Sequence, residues 1–419
     1  MTPARSRRRV VITGAGAVSP LGLGTAENWN ALLSGTANLE IERFLYDRAS
    51  TRFCVGRVPD RLEGLYERLL TRKERHRLNR FILLGIVAAE EAIGQAGIDR
   101  LSEAARRDIG VIIGSGIGGL NTIVEAAKRM EQEKTVFYLP GVLTNSCSAS
   151  VSARHGFRGG AYSASGACAT GTLTIGQAFR AIRDGYNDIM VAGGTEAPVN
   201  AAGIKVFDNL RALGHDESLS ARQISRPWDV GRTGFVLSEG AAVVVLEEHD
   251  HAHRRNAPIL GEVVGFGQSA DAGDLVAPEP SGAGPVAAMR AALRDAGWQP
   301  NDIDWINAHA TGTPHGDDVE LDAIEQVFGD RDAERPLFVS SSKGLTGHLL
   351  GASGALQAVL GLEALRHDIV PPNTNLVTPS RLSRFHLPVE PVKRPLSTFM
   401  LNSFGFGGVN GCLAIGKEV

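Results

Sequence analysis

Short apolar runs that end in glycine alternate with amphipathic stretches along this chain, a pattern that predicts an α/β protein. Arg9–Gly22 reads as a buried strand ending in a Gly-rich turn, and residues 108–113 as a second strand entering the turn Gly114–Gly119. Residues 85–97 form an Ala-rich helix. After Thr172, the apolar positions Ile175, Ala178, Phe179 and Ile182 recur at helical spacing. Asp188–Gly193 is apolar enough to be a central or interfacial strand. A polar loop over 225–240 leads to the strand 241–246, residues 250–256 read as a polar linker, and 268–284 as a long loop.

The helical pattern Val87…Ala92-Ile93…Ala96-Gly97 returns as Ala287…Ala292-Leu293…Ala296-Gly297. A second echo pairs Phe179–Asp184 with Leu362–His367, and places His348–Gly354 close to where Cys168 lies in the first copy. Two similar α/β halves related by duplication account for the length better than one large sheet. The boundary is expected in the linker, giving a half over 1–255 that carries Cys168 and a half over 256–419 that carries His309 and His348. Strand ends and helix starts from both copies would share a cleft.

Composition adds little except through glycine, whose count of 50 in 419 residues implies many tight turns and close backbone approaches. A net charge of −3 argues against a nucleic-acid binder. The four cysteines, at 54, 147, 168 and 412, have no metal-ligand spacing and suit a reducing cytoplasm. The basic start lacks the long apolar stretch of a signal peptide or membrane span, so it reads as a solvated tail. Gly14-Ala-Gly16 resembles a dinucleotide fingerprint, but the third glycine is missing and Pro20 interrupts the helix. His251 and His253 read as solvent-exposed linker histidines, not metal ligands. The basic run 71–80 reads either as a solvated helix face or as a docking patch for an acidic partner.

The densest chemistry lies around Ser163-Ala-Ser-Gly-Ala-Cys168-Ala-Thr-Gly171. This run places Cys168 on a sharp turn at a helix N-terminus, where unpaired N–H groups and the helix dipole favour thiolate. A buried structural cysteine would use the same residues. His309-Ala-Thr-Gly-Thr-Pro-His-Gly-Asp-Asp-Val-Glu320 follows a strand, Ser341-Ser-Lys343…His348 precedes a helix, and Asn402-Ser-Phe-Gly-Phe-Gly-Gly-Val-Asn410 sets two aromatics in a glycine hinge. Together they supply an activated thiol, two imidazoles, a lysine, a carboxylate and backbone donors, the inventory for covalent acyl transfer with oxyanion stabilisation.

These four motifs, in this order and at this spacing, resemble a β-ketoacyl-[acyl-carrier-protein] synthase of the elongating type, over nearly the whole length. The resemblance implies the thiolase-like α/β fold, two duplicated halves in a layered αβαβα arrangement. It implies that Cys168 accepts the acyl chain, that His309 and His348 assist malonyl decarboxylation, and that Lys343 and Glu320 orient those histidines. The backbone N–H groups of Cys168 and Phe406 would form an oxyanion hole, with Phe406 as a gate, Gly405 within its hinge and Phe404 in support. Thr311 and Thr313 would bond the phosphopantetheine arm, and Ile117 would line the acyl pocket. Lys73, Arg77 and Arg211 would dock the acyl carrier protein. The resemblance implies no metal or redox cofactor, because loss of CO2 drives the condensation. It also implies a dimer, either of identical chains or with a chain-length-factor-like partner.

The sequence departs from the family pattern at Gly166, Ala310, Asn79, Thr233, Val409 and Asp274. Several of these border the pocket and point towards a dedicated polyketide or polyene pathway as an alternative to fatty-acid elongation. Two other readings compete: a non-catalytic chain-length-factor-like subunit, against which Cys168, His309 and His348 all count, and a CoA-dependent thiolase with Cys412 as a second catalytic thiol.

Overall fold

A computed structural model describes residues 7–46, 49–129, 138–332 and 334–418. The first half contributes the strands β1 (Val10–Ser19), β2 (Gly110–Gly114), β3 (Ala161–Tyr162), β4 (Ile189–Glu196) and β5 (Gly240–Glu248). The second contributes β6 (Gly261–Ala270), β7 (Trp305–Asn307), β8 (Phe338–Ser340), β9 (Thr398–Gly405) and β10 (Val409–Gly416). Within each half the spatial order is third, second, fourth, fifth, first. The first three strands of that order are parallel and the remaining pairings antiparallel, identically in both halves. β1 and β6 pair antiparallel through Val10↔Val263 and join the halves, so the duplicated sets of strands are linked into one large sheet, not left as separate ones. The duplication read from helical echoes is therefore also a duplication of topology.

The helices follow the same symmetry. α1 (Arg80–Ala96) and α4 (Ala283–Ala296) each end on a left-handed glycine, Gly97 and Gly297. α1 covers the outer face of the first half; α4 and α5 (Gly316–Phe328) cover that of the second. α2 (Thr170–Arg183) and α6 (Ser353–His367) lie between the halves, their Ile175, Phe179, Leu356 and Val359 packed with Val244 and Leu413 from the two sets of strands. This gives the five layers helix, sheet, helix, sheet, helix.

Gly14-Ala-Gly16 has a packing role. A Cβ at Gly16 would lie 2.2 Å from the Ala88 carbonyl oxygen, and one at Gly267 would lie 2.0 Å from that of Ala288. The glycines let each inner strand touch its covering helix, so the apparent fingerprint serves helix–strand contact in both halves. Gly16→Ala is expected to force α1 away from β1 and cost about 3 kcal/mol, the upper range for overpacking, read as a lowered denaturation midpoint.

Three other expectations change. Residues 250–256 are not a loose linker: α3 (His249–Arg254) begins there, capped by Glu248, whose side chain accepts the N–H groups of Asp250 and His251. The loop expected from Gln268 starts only after Ala270, because β6 continues along β10 to Ala270↔Val409. Residues 1–6 of the basic start lie outside the described residues, but Arg7, Arg8 and Arg9 are not a solvated tail. They pair with Asp295, Asp188 and Glu262 respectively. The strand after α2, β4, is buried throughout and has a strand on either side.

Candidate active site

Cys168 sits in the 3₁₀ turn Ala167–Ala169 that feeds α2. Ala167 takes φ 48°, a strained left-handed value for a residue with a side chain. Thr170 holds the turn: its hydroxyl donates to the Ala167 carbonyl at 2.8 Å and accepts the Gly166 N–H at 2.9 Å. The second half repeats the device, with Leu350 at φ 46° in the turn Leu350–Ala352 before α6. The two turns bring Cys168 and the His348 segment to facing helix starts, as the echo predicted.

The thiol is buried. Burial pushes the Cys168 thiol up to about 12, against the opposing pull of the Phe406 N–H and Lys343. Desolvation therefore outweighs the helix start that was expected to favour thiolate. Gly405 is required here, since a Cβ at that position would lie 2.7 Å from the Gly166 carbonyl oxygen and 3.1 Å from the Cys168 nitrogen.

His309 and His348 face each other with ring centroids 5.5 Å apart and planes at 84°. Burial holds both well below the ordinary imidazole range, and the neighbouring Lys343 charge adds to the effect in each. The His348 Nδ1 lies 2.9 Å from the Ser353 hydroxyl, which also accepts the Leu349 N–H. Phe235 stands edge-on to His348, and Phe404 tilts against His309 at 5.8 Å.

The backbone around His309 is clamped from both sides. Glu320 accepts the N–H groups of His309 and Ala310 at 2.8 and 2.6 Å and the Asn402 amide at 3.1 Å. Gln357 donates to the Ala308 carbonyl at 2.7 Å and accepts from Lys343 Nζ at 3.0 Å. Burial drives the Glu320 carboxyl up and the Lys343 ammonium down, so each charge depends on the other. Asp317, pushed up to about 6 by burial, accepts the Thr311 and Gly312 N–H groups and fixes the next turn. Thr311 is buried and its hydroxyl reaches that of Thr313, which is half-buried.

Ile117 and Phe406 pack with Val199, Ile204, Phe207 and Leu350 in one apolar cluster around Cys168. Phe406 lies over Phe207 at 6.3 Å. Lys73 and Arg77 are exposed on the short helix Arg72–Arg77, whose start Thr71 and Glu74 cap reciprocally, and Arg211 is exposed just past the helix Ala201–Asn209. Cys412, the thiol proposed for a thiolase, is fully buried, donates to the Asn402 carbonyl oxygen and is pushed up by burial.

The departures from the family pattern also find partners. A Cβ at Gly166 would lie 2.4 Å from Leu173 Cδ1 and 3.1 Å from Val409 Cγ1, so two of the departures touch each other. Gly166→Thr is expected to cost about 1–3 kcal/mol and much of the acyl-loading rate, and Leu173→Val in the same chain to restore both, by thermal denaturation and loading assays. Asn79 caps α1, Thr233 accepts the His215 N–H, and Asp274 accepts those of Val276 and Ala277. The last bond shapes a loop whose Leu275 carbonyl receives the Gly407 N–H at 2.8 Å.

Sequence reasoning missed Glu196, a fully buried carboxylate that accepts from the Ser115 hydroxyl and from the N–H groups of Gly116, Ile117 and Gly351. It ties the Ile117 turn to the turn before α6. Its signal was a lone acid ending an apolar strand, Ile189–Glu196. Phe207, Phe235, Ser353, Asp317 and Gln357 carried no distinguishing local pattern.

Known proteins share this arrangement. The beta-ketoacyl synthase N-terminal domain family matches residues 7–252 and its C-terminal domain family residues 260–377. A 3-oxoacyl-[acyl-carrier-protein] synthase 2 of Rhizobium meliloti is 41% identical, over 97% of this chain and 98% of its own. A mitochondrial 3-oxoacyl-[acyl-carrier-protein] synthase of Arabidopsis thaliana is 40% identical, over 97% of this chain and 93% of its own. Among solved structures, a type II polyketide ketosynthase bound to the hexaketide, in complex with its acyl-carrier protein, superposes with a TM-score of 0.86 at 27% identity, covering 98% of this chain and 100% of that one. The ishigamide ketosynthase/chain length factor superposes at 0.85 with 28% identity, covering 99% and 100%. With a buried thiol, two facing imidazoles and two families matched in register across both halves, the chain belongs to the beta-ketoacyl synthases.

Proposed function

We propose that this chain extends acyl chains by two carbons through decarboxylative Claisen condensation, with Cys168 as nucleophile. The observation that carries this reading is a buried thiol, Cys168, beside the strained Ala167 turn and in one apolar cluster with Phe235, the ring edge-on to His348, which in turn meets His309. Attack of the Cys168 sulfur on the thioester carbonyl of an acyl carrier protein forms the acyl-enzyme and releases the carrier thiol, which takes the proton. The Cys168 and Phe406 N–H groups would stabilise the oxyanion of that step, a contribution of about 2.7–4 kcal/mol per donor in comparable sites.

Malonyl carrier protein then enters. Its C–CO2 bond breaks, CO2 leaves, and the electron pair becomes an enolate whose oxygen meets His309 and His348. A Ser353 hydroxyl that donates to Nδ1 would place the His348 proton on Nε2, where a neutral donor would face the enolate oxygen. The enolate carbon attacks the Cys168 thioester, the new carbon–carbon bond forms as the carbon–sulfur bond breaks, and the departing thiolate takes a proton from solvent. Lys343 and Glu320 act as positioning residues. Thr311 and Thr313 would hold the phosphopantetheine, while Phe406, Phe404, Gly405 and Ile117 shape the channel. Carrier-protein docking at Lys73, Arg77 and Arg211 fits their exposure and charge. No metal or redox group enters any of these steps.

A dimer, with an identical chain or with a chain-length factor, and a cytoplasmic location complete the reading. Among the described residues no helix is long and apolar enough to cross a membrane.

Intact-mass spectrometry after incubation with a panel of acyl carrier protein thioesters, then with malonyl carrier protein, tests the proposal. An acyl adduct that is absent in Cys168→Ala and is discharged as a two-carbon-longer β-ketoacyl product is the expected result. No adduct from any chain, alone or with a candidate partner subunit, would overturn it. Because both imidazoles are held below their ordinary range, His309 and His348 should stay neutral from pH 8 down to pH 6, with no change in their ring resonances by NMR of Cys168→Ala. A ring titration centred near 6.5, the ordinary imidazole value, would show that the rings protonate like exposed ones.

A further inference from the structure

The strand register places a second cluster of chemistry at the opposite end of the sheet from Cys168. β4 meets β5 at Glu196↔Gly240 on the catalytic side, and at Ile189↔Glu247 on the other. α3 starts just beyond that far end. β10 likewise runs from Val409, opposite Gly405 in the gate hinge, to Gly416, and the chain continues to Glu418. The far ends of β5 and β10 bring α3 and Glu418 together.

His249 and His253 lie one turn apart on α3, with ring centroids 4.4 Å apart. Their Nε2 atoms both approach the same oxygen of Glu418, at 3.1 Å from His249 and 2.6 Å from His253, and the three candidate ligand atoms lie within 4.8 Å of one another. Four ligands about 2.0–2.2 Å from a tetrahedral ion stand roughly 3.4 Å apart, so these atoms need little movement to share one.

The tautomers supply an independent argument. The His249 Nδ1 faces the Asp250 carboxylate at 2.9 Å while its Nε2 faces Glu418. A carboxylate accepts and cannot donate. A ring with both nitrogens against carboxylates must carry two protons, or carry one and direct the other nitrogen to a cation. With the proton on Nδ1, Asp250 fixes the ring and leaves the Nε2 lone pair for a metal, the carboxylate–histidine–metal relay that commonly orients metal-binding imidazoles. Arg9 and Arg254 are neighbouring cations; Arg9 is hydrogen-bonded to Glu262 while its charge also bears on Glu418 and Asp250, and Arg254 lies 3.8 Å from Glu248.

We infer that His249, His253 and Glu418 bind one divalent first-row transition ion, of which zinc is the natural probe given imidazole and carboxylate donors. A fourth position would remain for water. The ion would staple the end of the last strand to the helix that joins the halves, far from the condensation chemistry.

The test is calorimetric titration of zinc chloride into untagged, chelator-stripped protein. Cys168→Ala serves as background, so the reactive thiol cannot compete. One zinc per chain with micromolar affinity is expected. His253→Gln should weaken it at least tenfold, Asp250→Asn about 10–100-fold, and His249→Ala with His253→Ala should abolish it. Zinc should raise the denaturation midpoint of the Cys168→Ala protein by a few degrees, and in the Cys168 enzyme without zinc all three substitutions should leave the condensation rate unchanged. No binding at 100-fold excess over the protein, or an equivalent of zinc that survives the double substitution, would overturn the inference and leave a cluster held by protons alone.

Discussion

Cys168→Ala is expected to abolish acyl loading and condensation, with a loss of at least about 10⁴-fold, while malonyl decarboxylation continues. The two halves of the reaction use different atoms. Loading needs the sulfur, and nothing else in the cluster can replace it: Cys54, Cys147 and Cys412 are all buried elsewhere. Decarboxylation needs donors for the enolate oxygen, and His309 and His348 stand apart from the thiol on their own supports, Glu320 and Ser353. Removing one sulfur from a turn fixed by Thr170 leaves those supports untouched. The measurement is CO2 release from malonyl carrier protein beside mass spectrometry of the acyl adduct. Loss of both activities together would show that the thiol also organises the imidazoles.

The parts of this site that were legible in the sequence are those that a motif of about ten residues carries by itself. The Cys168 turn, the His309 run, the His348 segment and the glycine hinge each announce a backbone geometry through small residues at fixed spacing. The duplication was legible for the same reason, since α1 and α4 repeat their apolar faces and their terminal glycines. Glu196 and Gln357 were not legible. Each is a polar side chain in an apolar stretch, and its backbone partners lie 49–155 positions away. Only the assembled sheet shows that these side chains answer backbone groups on the catalytic turns. The thiol was misjudged for a related physical reason. A helix start can be read locally, but desolvation depends on Ile204, Phe207 and Leu350, which reach Cys168 from distant segments. The linker histidines show the same limit, because Glu418, which turns two of three nearby imidazoles into a cluster, lies at the other end of the last strand.

Glu320→Gln is expected to reduce decarboxylation about 10²–10³-fold and to destabilise the chain by about 3 kcal/mol, with loading at Cys168 much less affected. The carboxylate accepts three hydrogen bonds with two oxygens: His309 and the Asn402 amide on one, Ala310 on the other. An amide of the same shape keeps one oxygen and turns an NH2 towards an N–H donor. At least one buried donor is then unpaired, which costs about 1–3 kcal/mol, and the Lys343 ammonium loses its buried counter-charge. The backbone of His309 must move to relieve the clash. A displacement of about 1 Å in a reacting group is enough to cost about 10²-fold. Cys168 lies in the turn before α2, which Thr170 holds, so the support of the loading site does not pass through Glu320. The readout is therefore a split: a large fall in CO2 release from malonyl carrier protein against a small change in acyl-adduct formation, with a lower denaturation midpoint. Equal losses in both steps would mean that Glu320 holds the whole cleft together and not the His309 turn alone.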